Sequence, residues 1–208
     1  MYIELVELLR CIREHEESWL VAAIDELSER SIRKGRLGCP ICGAEYPIVD
    51  GVADFSGAAS PIAHDKPKFG VEEIALRAGA FLGLAETAGT IVLGGSWSVA
   101  SAALAESVGA RVIAANAPEG ATESPSVAPI KMSNAIPLGA ASCDGVALDA
   151  TFGAEAFLSA WKILRPGGRI VGPKTVRPPD GLAIIAEDES WWIAEKPPEI
   201  TPLRRGNR

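Results

Sequence analysis

Cys39-Pro40-Ile41-Cys42-Gly43 places two thiols where both can bind one ion, while the turn between them aims backbone N–H groups at the sulfurs. A tetrahedral site needs two further ligands. The other cysteine nearby is Cys11, followed by His15 in a Cys-x3-His spacing. Cys11, His15, Cys39 and Cys42 therefore supply a closed Cys3His set, and closed coordination means a structural zinc rather than a catalytic one. A segment this small has little core, so a metal binding free energy of about 10–16 kcal/mol would be a large part of its stability. Two plainer readings stay open. Cys39 and Cys42 could be a thioredoxin-like redox pair, although Gly43-Ala44-Glu45-Tyr46-Pro47 does not open the helix that motif requires. Alternatively no metal binds and Cys11 is a small buried apolar residue; separately, His15 could be a surface residue among Glu14, Glu16 and Glu17 rather than the fourth ligand.

Other reactive residues are sparse. Asp149 lies just past an apolar run where parallel sheets bind ligands, so it is a candidate general base, but a solvated or helix-capping role beside Thr151 is the stronger reading. Cys143 precedes a strand and reads as a buried hydrophobe. His64 falls in a linker. Trp191 and Trp192 cannot both face inward from one strand, so one is expected to be exposed or to cover the ribbon or a partner.

Positioning these residues falls to two unlike regions. Residues 1–57 are charge-rich and hold three of the four cysteines; 19–24 and 31–37 can pair as strands across an acidic turn and bring the two ligand pairs together. Residues 58–70, with small residues and prolines, read as a linker. From Val71 the chain turns Ala- and Gly-rich. Val71, Ile74, Ala75, Ala78, Phe81 and Leu82 recur with helical spacing, and 90–93, 111–115, 145–148 and 169–171 are short apolar runs of buried strands. Helices are expected over 99–108 and 154–164, a loop or poorly formed helix over 117–131, and a hairpin from 182–186 and 191–195. Strands separated by helices point to a mostly parallel, Rossmann-like α/β sheet with helices on both faces and a C-terminal antiparallel hairpin, spanning 71–197 ahead of a tail at 198–208.

Bulk properties set outer limits. The chain has 208 residues, 48% hydrophobic and 23% charged, as in ordinary globular proteins. A net charge of −7 tells against a general grip on nucleic acid. Arg204, Arg205 and Arg208 form a local basic patch, read more plainly as a frayed terminus. No stretch is long and apolar enough for a membrane span, and the acidic start Met1-Tyr2-Ile3-Glu4-Leu5 is unlike a signal peptide, so the expected location is the cytoplasm.

Two resemblances extend this reading. Residues 37–52, with Cys39-Pro40-Ile41-Cys42 running into Tyr46-Pro47-Ile48-Val49-Asp50-Gly51, resemble the second half of a Trm112-like zinc ribbon. That family usually has a second CPxC pair in its first half, where Cys11 and His15 stand here. The resemblance implies a module that activates, helps fold or is fused to a methyltransferase. Ile136-Pro137-Leu138, Cys143-Asp144-Gly145-Val146 and Arg165-Pro166-Gly167-Gly168-Arg169 are similar to class I S-adenosylmethionine (SAM) methyltransferases, over roughly residues 70–195.

The second resemblance implies a cofactor site at Gly94, Gly95, Ser96, Asn116 and Ser133. Much of that pattern is missing. Val92 stands at the acidic position, Ser96 and Ser98 replace glycines, Trp97 adds bulk, and neutral Asn116 stands where an acid grips the ribose. Each lost charge-assisted hydrogen bond is worth about 1.5–3 kcal/mol, which tells against ordinary SAM binding. Only 173–181, with three prolines, separates the last parallel strand from the hairpin, leaving no room for the helix that often shapes an acceptor pocket. The expected protein is methyltransferase-like, with structural zinc, no assignable catalytic residue, and a protein partner or second copy as its target. The alternative is an active SAM-dependent methyltransferase on an unknown acceptor.

Overall fold

The structure, a computed structural model, describes residues 1–57, 69–84, 89–118 and 124–198. His64, most of the linker and the basic tail lie outside the described residues. Among the described residues eleven strands form one sheet, in which an antiparallel N-terminal part is joined edge to edge to a parallel part.

Its N-terminal part is an antiparallel meander: β1 (Val21–Ser28), β2 (Ser31–Gly38), β3 (Glu45–Val49) and β4 (Val52–Phe55). The expected pairing of the first two strands is present, and the chain ahead of them adds a short 3-10 helix, Ile3–Leu8. The meander has one apolar face. Leu37, Tyr46, Ile48, Ala53 and Phe55 are buried there, and Leu5 and Leu9 cover them.

The second part is parallel: β5 (Thr90–Gly94), β6 (Arg111–Ala115), β7 (Val127–Met132), β8 (Cys143–Ala147) and β9 (Leu164–Pro173). Taken in chain order within this part, the strands lie 3-2-1-4-5, the doubly wound arrangement. The antiparallel strands β11 (Trp191–Glu195) and β10 (Ala183–Glu187) close the edge as the expected hairpin. Helices α1 (Val71–Leu82) and α2 (Ser101–Val108) cover one face, and α3 (Ala154–Ile163) covers the other. Successive side chains on a strand point to opposite faces, so a sheet covered on both sides needs apolar residues throughout. Ile91 and Leu93 accordingly pack beneath α1 and α2, and Val92 packs on the α3 side.

Several local expectations change. The segment expected as loop or poorly formed helix over 117–131 contains β7, buried between β4 and β6. Pro129 is tolerated because the carbonyls of Ser126 and Ile130 face β6, accepting from Val112 N–H (2.7 Å) and Asn116 N–H (2.8 Å). The imide nitrogen of Pro129 thus falls on the opposite side, one residue before β4 begins to pair at Ala53–Ile130. The helix expected over 99–108 is divided into a 3-10 turn, Gly95–Ala100, and α2. Arg165-Pro166-Gly167-Gly168 bulges out of β9 opposite Asp144, with Gly167 at φ +78°, and is tied to the residue after β11 by Gly167 N–H to Lys196 O and Lys196 N–H to Gly168 O. Cys143 opens β8 rather than preceding it.

Trp191 and Trp192 also differ from expectation. Neither covers the ribbon or is left bare. Trp192 is buried under α3 against Phe157, with ring centroids 5.5 Å apart, and its Nε1–H donates to Pro173 O. Trp191 sits on the other face against Trp97 at 5.0 Å. Each tryptophan has its own helical layer.

The packing at Trp192 leaves no space at its cross-strand partner Gly172, where a Cβ would overlap the indole and the Phe157 ring. Gly172→Ala is expected to cost about 1–3 kcal/mol of stability by overpacking, read as a lower midpoint in denaturant unfolding. Gly70→Ala, whose methyl would meet open space at the N-cap of α1, should cost no more than about 1 kcal/mol, the preference for glycine over alanine at that position.

Candidate functional site

Two places collect the polar groups singled out above: a sulfur cluster on the ribbon and the carboxyl edge of the parallel strands.

At the cluster, the tight turn after β2 presents Cys39 and Cys42, closed by Gly43 N–H to Cys39 O (2.9 Å) and Cys39 N–H to Ala44 O (2.8 Å). Cys11 and His15 arrive from the irregular segment between the 3-10 helix and β1, where Cys11 N–H donates to Ser18 O (3.0 Å). The four expected residues do come together: one ligand atom from each lies within 4.8 Å of all the others. Cys11 Sγ is 3.7 Å from Cys42 Sγ, and Cys39 Sγ is 3.4 Å from His15 Nε2. Sulfur and nitrogen ligands about 2.3 and 2.0 Å from one tetrahedral ion stand about 3.5–3.8 Å apart, so the donor set fits zinc.

The surroundings set the tautomer of His15 and lower the Cys39 thiol. His15 Nδ1 lies 2.5 Å from Glu16 O; a proton placed there and donated to the carbonyl leaves Nε2 as the lone-pair donor facing Cys39. The same carbonyl raises the imidazole above its ordinary pKa. At Cys39 burial pushes the thiol up, but N–H groups of Cys42 and Ile41 and bonds to Cys42 and Cys11 outweigh it, bringing it down to about 6. Tyr46, which the sequence reading used only as part of a strand motif, also reaches the cluster, its hydroxyl 3.2 Å from Cys11 Sγ. Burial holds that hydroxyl above its ordinary pKa.

The carboxyl edge gathers Gly94 at the end of β5, Gly95 and Ser96 after it, Asn116 after β6, Ser133 after β7 and Asp149 after β8. Its polar groups face each other. Asp149 is buried, 8% exposed, and accepts from Ser96 N–H (2.6 Å), Thr151 N–H (3.0 Å) and the Thr151 hydroxyl. It is therefore neither solvated nor a helix cap, and its oxygens are occupied by donors rather than presented to a substrate. Gly95 has φ +64°, and its open side is filled by the Asp149 carboxylate. A Cβ on Gly94 would meet Leu148 and, at 2.8 Å, the Phe152 ring. The glycines are needed here, but their cleared space is taken by the chain itself.

Asn116 is closed in the same way. Its Nδ2 donates to Met132 O and its Oδ1 accepts from Met132 N–H, both at 2.8 Å. Ser133, the next residue, is half-buried. Trp97 does not crowd the turn as expected: it is buried between Phe81 and Trp191 under α1, and Leu148, Asp149 and Phe152 fill the turn instead. Sequence offered one signal for this, the Asp149-x-Thr151 spacing of a local side-chain turn, but nothing that aimed it at Ser96. The loop at Ile136-Pro137-Leu138 is also engaged: Arg10 N–H donates to Pro137 O (2.9 Å), and Glu17 accepts from Ala140 N–H (2.9 Å). Cys143 is buried with its thiol on Thr90 O (3.3 Å), and burial pushes it up to about 12, consistent with an inert side chain.

No protein-family model matches the chain, and no curated protein does. Solved structures overlap with it in part. A chain of the complex between the Haloferax volcanii Trm112 methyltransferase activator and a protein assigned as a methyltransferase is 22% identical, over 48% of this chain and 50% of that one, with a TM-score of 0.40. Geranyl diphosphate C-methyltransferase of Streptomyces coelicolor A3(2), in complex with Mg2+, geranyl diphosphate and S-adenosyl-L-homocysteine, is 15% identical over 54% of this chain and 55% of its own, at 0.38. Phosphoethanolamine N-methyltransferase 2 of Haemonchus contortus is 14% identical over 54% of this chain and 29% of its own, at 0.40. The matched regions thus span about half of the first of these chains, and the fold rests on the strand order described above.

The engagement of Asp149 has a measurable consequence. Asp149→Ala leaves two N–H groups and a hydroxyl without their acceptor and is expected to lower stability by about 1.5–3 kcal/mol in denaturant unfolding. A solvated aspartate would cost less than about 0.5 kcal/mol when removed.

Proposed function

We propose that the chain is a methyltransferase-like protein with its own structural zinc ribbon in residues 1–57, that the 71–197 domain has lost ordinary SAM binding, and that it acts by binding a protein partner. The observation that carries this reading is the turn after β5, where the Asp149 carboxylate takes the Ser96 N–H and the open side of Gly95. A nucleoside cofactor approaching these glycines would have to displace a buried carboxylate and the Phe152 ring. It would also have to free an Asn116 amide whose oxygen and nitrogen are both engaged. Val92 at the acidic position offers no charge in return, being packed in the core.

Cys11, His15, Cys39 and Cys42 would hold the zinc, with no position left for water or substrate. The ion would supply folding energy and no chemistry. Support for a partner comes from the sheet's outer strands. Among the described residues β1 and β10 each pair on one side only, and Val21, Ile24 and Leu27 on one and Ile184 and Ile185 on the other are exposed. Open main-chain edges beside apolar side chains suit strand addition by another chain.

Calorimetric titration of SAM into the purified protein, with metal measured on the same sample, tests both halves. The expected result is one zinc per chain and no binding tighter than about 100 μM, or about −5.5 kcal/mol. Tighter binding restores an enzyme; a metal-free ribbon that stays folded removes the structural zinc.

A further inference from the structure

The two thiols of the Cys39–Cys42 turn are placed by backbone hydrogen bonds within a few residues of each other. Cys11 has no such tight turn, its N–H being held by Ser18 O seven residues on (3.0 Å). It comes from a segment without helix or strand, 31 residues from Cys42, yet its sulfur must sit within bonding reach of the same ion. Among the described residues, the contacts to Cys11 Sγ beyond the cluster are the Arg13 N–H at 3.5 Å and the Tyr46 hydroxyl at 3.2 Å.

Tyr46 is well built to hold a sulfur. Its ring is buried, 6% exposed, on β3 and packs against Phe55 with centroids 4.5 Å apart. Its hydroxyl oxygen lies 3.4 Å from Ile12 N–H, which can only donate. With its oxygen accepting from Ile12, the single hydroxyl proton is free to point at Cys11. A metal-bound thiolate has no proton and can only accept, so the direction of that bond is fixed.

We propose that Tyr46 is a positioning residue for the metal: its hydroxyl donates to the Cys11 thiolate while accepting from Ile12 N–H, and so fixes the ligand that no local turn holds. The assignment rests on the zinc reading above. Outer partners of this kind orient a ligand and tune its donor strength, and losing one costs about 10–100-fold in metal affinity. Because Phe55 pairs across to Met132 on β7, the ring that holds Cys11 also stands against the strand joining the ribbon to the parallel sheet.

Tyr46→Phe keeps the ring and removes the hydroxyl. Zinc affinity measured by competition with a chromophoric chelator should fall at least about tenfold. In the cobalt-substituted protein, the thiolate-to-metal charge-transfer band should move to longer wavelength, because an unbonded sulfur is a stronger donor. Phe55→Leu serves as the packing control and should leave that band in place. Should Tyr46→Phe not fold, wild-type protein loaded with a spin-active cadmium isotope supplies a second measurement, a through-bond correlation between the metal and the Tyr46 hydroxyl proton. Affinity within about twofold of wild type with an unmoved band, or a cadmium spectrum without that correlation, overturns the proposal. Wild-type protein that binds neither zinc nor cobalt removes the zinc reading and this role with it; zinc bound normally by both proteins removes only the role of Tyr46.

Discussion

The parallel pairing of β4 with β7 is the contact on which the rest of the molecule depends. Ala53, Asp54 and Phe55 meet Ile130, Lys131 and Met132, and through these three pairs an antiparallel meander and a doubly wound sheet share one set of strands. The partners carry different loads. Phe55 stacks on Tyr46 and so touches the sulfur cluster, while Met132 offers its backbone N–H and C=O to Asn116. A side chain at the sulfur cluster and a side chain at the carboxyl edge of the parallel strands are thus separated by one strand pairing. Without β4, β7 would present an open edge of apolar residues, so the parallel part depends on the ribbon for its own coverage. The shared hydrophobic cluster, which runs from Leu5 and Ile48 through Ile130 to Phe157 and Trp192, has the same implication.

Electrostatics at the carboxyl edge follow from burial. A carboxylate taken out of water must be met by donors, or its desolvation exceeds any gain. Asp149 is met by three, of which two come from its own turn and one from the β5 turn. The bond to Ser96 joins the ends of β5 and β8, neighbouring strands, and pins the 3-10 turn that leads into α2. Asp144 acts likewise at the other end of β8, accepting from Thr90 N–H at 2.9 Å and pairing with Arg165. Both ends of the central strand pair are therefore clamped by an aspartate from β8 or its flank. That is a structural use for acidic residues which in an α/β sheet invite a catalytic reading.

How much of this was legible in sequence differs by the range of the forces involved. The clustering of Cys11, His15, Cys39 and Cys42 was legible because Cys-x2-Cys is a local turn and few other soft donors compete nearby. The strands 90–93 and 111–115 were legible because burial on both faces needs unbroken apolar runs. β7 was hidden because Pro129 argues against a central strand, and its tolerance depends on where β4 starts, a fact of tertiary register. Trp97 misled for a related reason: its neighbours in sequence are loop residues, but its ring belongs to the layer formed by α1 and β11. The filling of the β5 turn was the hardest to read. Ser96 and Asp149 are 53 residues apart, and no local pattern reports that their backbones meet.

Backbone conformation bears on the same edge: Asn116 has φ +50°, a geometry that persists in a non-glycine residue where surrounding contacts fix it, while Gly95 reaches φ +64° freely. Asparagine is among the few side chains that tolerate that region, so Asn116 is readable as a conformational choice without any ligand. Its two hydrogen bonds to Met132 fix it, as Asp149 fixes the turn at Gly95. Strain at a ligand site is ordinarily held by the scaffold while the polar groups it aims stay open for the ligand. Here the same polar groups supply the constraint. The proposed loss of SAM binding rests on this engagement of Asn116 and Asp149, whose side-chain donors and acceptors hold the local geometry.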